Sequence, residues 1–451
     1  MNTDTDTVTS DLSNDETGPG VERVGDRVER RSFVLIAING IMTAGPSMLF
    51  DPNTVMAAFI ITLTGSKTLV GVVSAMTMIG WVWPQLFVAN WIEPKPKKMF
   101  VYQVGAVLRV STLTIACLLI WFMRDSLAPW FVYAFIGIFF VYWSVGGFSA
   151  VAWYEVLSKA VASHRRPAVF AWRQTGAGFV ALLAGFIVTW ALSDRSGLAF
   201  PVNYFFLLAL MTGLMAIGIA AFTMVHEPYD YETATRRRPW KQYFRMGPRF
   251  LRDDANYRRL VLGQITFAFG VMATPFLVPF VITEVRAAES VIGALMALAA
   301  ITDLFMNIYW GHLGTRKGNR AVLVQASRVA LVSPFVALAA LFVEPVSVVG
   351  IDIRIVLVAV ALVLSRVAGS GIGVGRMNYL LDIAPVGVRP SYIGFMNTFS
   401  VFSMGIPIIA GTVIDTMGYL PVFGTASLFG IVTIFITLRL DDFYKNREAR
   451  Q

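Results

Sequence analysis

Arg366 is the residue whose chemistry is hardest to explain as packing. It lies 12 residues after Arg354 and 16 before Asp382, inside an apolar run. At about 1.5 Å per helical residue that is the middle of a span. A cation there costs at least ~2.5–3.5 kcal/mol on insertion scales, so it must face protein, water or a ligand. It suits an anionic or polar solute group, with an ion pair as the purely structural alternative. Asp303 is the acid nearest the middle of another run, and an acid there can exchange a proton, which makes it the proton-coupling candidate. Its structural alternative is a salt bridge to Arg328. Glu155 and Arg173 flank one end of two neighbouring runs and read as an intramembrane ion pair. Gly369, Gly371, Gly373 and Gly375 alternate along the Arg366 run. Each weakens a helix by up to ~1 kcal/mol relative to alanine, which favours close packing and a hinge.

These residues need apolar elements to hold them. The chain has 451 residues, 56% hydrophobic and 14% charged, with a mean hydropathy of +0.65. A soluble chain carries roughly 25% charge. The apolar runs reach about 20 residues, enough to cross a ~30 Å hydrocarbon core. The fold class is therefore all-α integral membrane. The net charge of +9 reflects cations in alternating loops, which set topology and imply no nucleic acid. The lone Cys117 excludes an intrachain disulfide. His164, His226 and His312 fall in loops without metal-ligand spacing. No G-x-x-x-x-G-K-S/T loop is present. The chain reads as a non-enzyme without cofactor or metal.

In order, residues 1–31 read as a disordered cytoplasmic tail. Residues 32–225 hold six helices, at about 32–63, 69–92, 99–123, 128–159, 168–192 and 202–225. The first is interrupted at Asp51-Pro52-Asn53, and Pro46, Pro84 and Pro275 are candidate kinks. Residues 226–256 form a cytoplasmic linker in which Arg236–Arg238, Lys241, Arg245, Arg249 and Arg252 alternate with aromatics. That mixture suits helices lying on the membrane face. Six more helices follow within 257–440, at about 257–284, 291–311, 320–343, 351–382, 390–415 and 419–440. Residues 441–451 are a short cytoplasmic tail. The loops on the outer side carry only Lys67, Arg124, Arg195, Arg286 and Arg354 of the 37 Lys and Arg, so both termini are expected in the cytoplasm of a bacterial inner membrane.

The chain is one module built twice. Gly311-His-Leu-Gly-Thr-Arg-Lys-Gly-Asn-Arg320 has a weaker copy 222 positions earlier at Ala89–Lys98. Val70-Gly71 aligns with Ile292-Gly293 and Gln103 with Gln325 at the same offset. Arg166-Pro167 aligns with Arg389-Pro390, and Gly146 with Gly369, at offset 223. Two pseudo-symmetric six-helix bundles, twelve transmembrane helices in all, follow.

The 311–320 stretch resembles the loop between the second and third helices of each half in the major facilitator superfamily, roughly Gly-x-Leu-x-Asp-Arg-x-Gly-Arg-Lys. Gly311, Leu313, Arg316, Gly318 and Arg320 match it, with Thr315 in place of the acid. In the first half Glu93 keeps the acid, while Ala89 and Pro96 replace the glycines. The resemblance covers nearly the whole chain after the tail. It implies a cytoplasmic gate in which Glu93, Lys97, Lys98, Arg316 and Arg320 tie the bundles together. It also implies that helices 1, 4, 7 and 10 line a central cavity. The substrate-pathway candidates there are Arg366, its repeat mate Trp143, the adjacent Tyr142, Asn39 and Gln264. The common drug-export branches carry an arginine in helix 4 and a Gly-Pro pair in helix 5, and both are lacking here. Trp83-Pro84-Gln85-Leu86 and Asp382-x-Ala-Pro385 resemble a little-studied bacterial branch.

The expected function is secondary transport of a small polar or amphipathic solute by alternating access, with protons as the candidate coupling ion, in a monomer bound to the lipid bilayer. The rival class is a protein of the same fold that does not transport: a sensor, or an assembly or pigment-delivery factor. A lipid translocator is the third reading.

Overall fold

In a computed structural model, the described residues are 25–92, 95, 97–126, 128–162, 165–229, 240–348, 351–384 and 389–442. They form α1 (Asp26–Ala44), α2 (Val55–Thr64), α3 (Lys67–Ile92), α4 (Met99–Met123), α5 (Trp130–Ala160), α6 (Arg166–Ala191), α7 (Val202–Thr223), α8 (Trp240–Asp253), α9 (Ala255–Gly270), α10 (Leu277–Thr283), α11 (Val291–Ala339), α12 (Ile353–Ile383), α13 (Arg389–Met404), α14 (Ile406–Met417) and α15 (Tyr419–Leu438). Twelve spans result, because α1–α2, α9–α10 and α13–α14 are each one interrupted span and α11 contains two. Most are apolar around much of their circumference, as a helix between lipid and protein must be.

The first helix starts earlier than expected. Asp26 and Glu29 lie in its first turn, where carboxylates oppose the helix dipole, so the last part of the expected tail is helical. Residues 1–24 lie outside the described residues. The interruption at 51–53 is present: Asp51 Oδ1 accepts from Asn53 N at 3.0 Å and Thr54 Oγ1 at 3.0 Å, closing a turn before α2. The matching break in the second half is a 3-10 turn at Thr274–Phe276 around Pro275. Pro46 opens a similar turn, whereas Pro84 sits within an unbroken α3.

The expected loop at 311–320 is not a loop. Helix α11 continues through it and breaks only at Gly318, with φ 80° and ψ 164°. A non-glycine residue resists that φ. The cations before it project into water, so the helix has no reason to end sooner.

The two bundles meet tightly at one end. Built at Gly71, a Cβ would lie 2.7 Å from the Pro407 carbonyl carbon; at Gly185, 2.8 Å from Ala297 N. Gly411 and Gly293 are equally close to the backbones of Lys67 and Thr189. These four glycines let α3 meet α14, and α6 meet α11, at van der Waals distance. Asp415 adds a cross-bundle cap on α3, accepting from Lys67 N at 2.9 Å and from Thr68 N and Oγ1 at 2.7 Å each. Glu289 accepts from Thr62 Oγ1 at 2.8 Å and Tyr204 Oη at 2.7 Å. This sealed end is the far face. The start of α1, the end of α15 and α8 lie at the other, the terminal face. On the far face a two-residue ladder, Ser347–Val348 with Ile351–Asp352, leads into α12. The Arg354 guanidinium hydrogen-bonds Asp352 there and holds its carboxyl below the usual carboxylate range.

Helix α8 is amphipathic, with Arg249 and Arg252 exposed. Phe250 meets Tyr392 at 4.3 Å between centroids, fixing α8 to the second bundle. The side chains of Lys241 and Arg245, and residues 230–239, lie outside what is described.

Candidate functional site

Between the bundles lies a cavity of about 1130 Å³. Three helices line it from the first half, α1, α3 and α6, and five from the second, α9, α11, α12, α13 and α14. The first-half wall is apolar and neutral polar, with Met48, Met78 and Trp81 beside Asn53, Thr77 and Gln174. The second-half wall carries all the charge: Asp303, Arg366 and Arg376.

Arg366 and Asp303 face each other, Nε to Oδ2 3.6 Å, each about one third exposed. Arg366 lies 13 residues into the 31-residue α12, about 20 Å from its start. The pair therefore sits at mid-depth, open to the cavity. Arg328 is exposed on α11, so the expected Asp303–Arg328 bridge is replaced by Asp303–Arg366. Gln264 also lines the cavity and donates to Ser400 Oγ. Its Oε1 has no partner among the described residues.

The alternate glycines divide between two jobs. Gly369 and Gly373 line the cavity, and a Cβ there would meet nothing within 4 Å. At Gly371 it would lie 2.7 Å from Ala326 Cβ, and at Gly375 3.0 Å from Leu323 Cγ. Helix α12 runs unbroken through all four.

Four expected placements are corrected. First, α5 contributes no lining residue among those described, contrary to the expectation for helix 4. Tyr142 is buried, accepting from Arg109 Nη2 at 3.0 Å and donating to Met215 Sδ at 3.4 Å. Trp143 packs edge-on against Trp81, centroids 6.2 Å apart, and Trp81 does the lining. Second, Asn39 is saturated inside the first bundle. Its Nδ2 donates to Gly218 O at 2.9 Å and Tyr102 Oη at 3.3 Å, and its Oδ1 accepts from Trp153 Nε1 at 3.0 Å. It joins helices and leaves nothing for a solute.

Third, Glu155 does not meet Arg173. Lys98 Nζ reaches Glu155 at 2.6 Å, while Arg173 lies over the Trp153 ring at 4.2 Å. An arginine aimed at an aromatic face can be buried without an acid. Fourth, two charges of the expected gate, Lys98 and Arg320, serve their own halves. Lys98 is buried, pairs with Glu155, and donates its backbone N–H to Glu227 at 2.8 Å. Arg320 caps α15, donating to Leu440 O at 2.6 Å and Leu438 O at 2.9 Å, beside Asp442 at 3.5 Å. Lys97, Gly311 and Arg316 are exposed. Glu93 lies outside the described residues.

Arg376 and Trp81 were missed in the sequence. The signal for Arg376 was its position three residues after Gly373, on the stripe that begins at Arg366 and Gly369.

A family model for the Major Facilitator Superfamily matches residues 260–450. The chain has the major facilitator fold, and its residues 260–450 are similar in sequence to that superfamily. Solved structures agree across its length. A nucleoside transporter, NupG, aligns with TM-score 0.67 and 13% identity over 91% of this chain and 99% of its own. A D-xylose–proton symporter gives 0.65 and 12% over 92% and 98%. An inward-facing bacterial homologue of the iron transporter ferroportin gives 0.64 and 14% over 93% and 99%. At these identities the likeness is one of fold. No curated protein sequence matches significantly. The chain is thus an integral membrane protein whose described residues form twelve spans.

Proposed function

We propose that this protein is a secondary transporter moving a small polar or amphipathic solute by alternating access. The observation that carries this is the geometry of the cavity: mid-depth charges between two bundles that, among the described residues, meet backbone to backbone at the far face. A site between repeats that is sealed at one end is what a rocking carrier needs. Positive-inside counting puts the terminal face in the cytoplasm, so the state is open inward. Asp303 is the proton-coupling residue in this reading. When a solute group takes its place on Arg366, the freed carboxylate binds a proton, and the pair re-forms when both leave.

The test needs no known substrate. In a Cys117→Ser background, Gly373→Cys is exposed to a membrane-impermeant thiol reagent from each face in turn. A carrier is labelled from both faces. A sensor or assembly factor held in one state is labelled from the terminal face alone, and that result would reject transport.

A further inference from the structure

We propose that the solute is an amphipathic organic anion and that Arg376 receives its carboxylate or phosphate. This rests on the transporter reading above and names the substrate class for the same cavity. The lining holds two arginines and one acid. Asp303 pairs with Arg366 at 3.6 Å until a second, polar group of the solute displaces it. No hydrogen bond or ion pair joins Arg376 to an acid among the described residues, whereas Arg366 has one. The cavity therefore holds one uncompensated positive charge, which repels cations and leaves a place for one anionic group.

The placement suits capture. Arg376 lies ten residues beyond Arg366 on α12, about 15 Å nearer the terminal face, where the cavity opens. Gly369 and Gly373, seven and three residues before it, leave open space along the same stripe. Across the cavity, Met48, Met78 and Trp81 offer an apolar wall for the body of the solute. A mixed lining with few convergent polar groups is what drug-sized ligands occupy. The repeat argues against a structural role: at offset 223 the mate of Arg376 is Trp153, a buried, uncharged residue. The fold does not need a cation at this position.

The experiment measures thermal stability of the detergent-purified full chain against paired compounds, aromatic and aliphatic carboxylates and phosphates, each beside its neutral amide or alcohol. A ligand of the folded state raises the melting temperature. The expected result is stabilisation by anions and not by their neutral partners. Arg376→Gln should weaken the best anion by roughly thirtyfold or more, as loss of one partner of a buried charge pair does. Arg376→Lys should retain part of the binding. Neutral partners binding as well as the anions, anion binding unchanged in Arg376→Gln, or no anion binding at all would each overturn the proposal. The melting temperature of ligand-free Arg376→Gln shows whether it folds. Two-faced labelling of Gly373→Cys judges the transporter reading separately: a carrier that binds no anion discards the substrate class and keeps transport.

Discussion

Replacing Gly71 and Gly293 together by valine should turn the carrier to face the other way. Each valine would strike the opposite bundle: at Gly71 the Pro407 carbonyl and Ile408 backbone, at Gly293 the backbones of Thr189 and Gly185. The three nearest atoms at each site all belong to the opposite bundle, so the penalty falls first on the sealed far face. Overpacking of this kind costs about 1–3 kcal/mol per site. The two sites are on different helix pairs, α3 with α14 and α6 with α11, and should add. The total of about 2–6 kcal/mol shifts the inward-to-outward ratio by roughly 30-fold to 10⁴-fold. The assay is the ratio of labelling rates at Gly373→Cys from the two faces. Gly213→Val is the control, because a Cβ there meets nothing within 4 Å. An unchanged ratio in a folded double variant would refute the reasoning that these glycines hold one state of a two-state carrier.

Two other outcomes follow from single side chains. Asp415→Ala removes the cross-bundle cap on α3, worth about 0.5–2 kcal/mol, and should shift the same labelling ratio outward by roughly 2- to 30-fold; an inward shift would contradict it. Glu227 is buried and accepts from the backbone N–H groups of Lys98 and Met99 and from Lys159 Nζ at 3.3 Å. Glu227→Ala should lower stability by about 3–5 kcal/mol, read as a fall in melting temperature in detergent, without altering which face the cavity opens to.

Span number, the break at Asp51-Pro52-Asn53 and the repeat were legible because each has a local cause: apolar length, proline and turn residues, and a stable offset. The continuity of α11 through 311–317 was not, because exposed polar residues read as a loop whether or not the backbone stays helical; only Gly318 marked the true break. Arg366 was legible from depth alone. Its partner was not: the sequence paired Asp303 with Arg328, and only the packing of α11 on α12 brings Asp303 to Arg366. Trp143 and Asn39 failed for a shared reason. Position along a helix is fixed by sequence, but the face it shows is fixed by neighbours. Here Trp81 stands at the cavity wall where Trp143 was expected, and Tyr102, Trp153 and Gly218 absorb Asn39.

The central claim is that one cavity opens to each face in turn. Distance measurement between spin labels tests it most directly, with one pair at Thr64 and Ala288 on the far face and another at Ala168 and Lys317 on the terminal face, all exposed positions. The account predicts two distance populations for each pair, and conditions that lengthen the far-face distance shorten the terminal-face one. A single unchanging distance at both ends, across pH and in the Gly71→Val/Gly293→Val background, would contradict it.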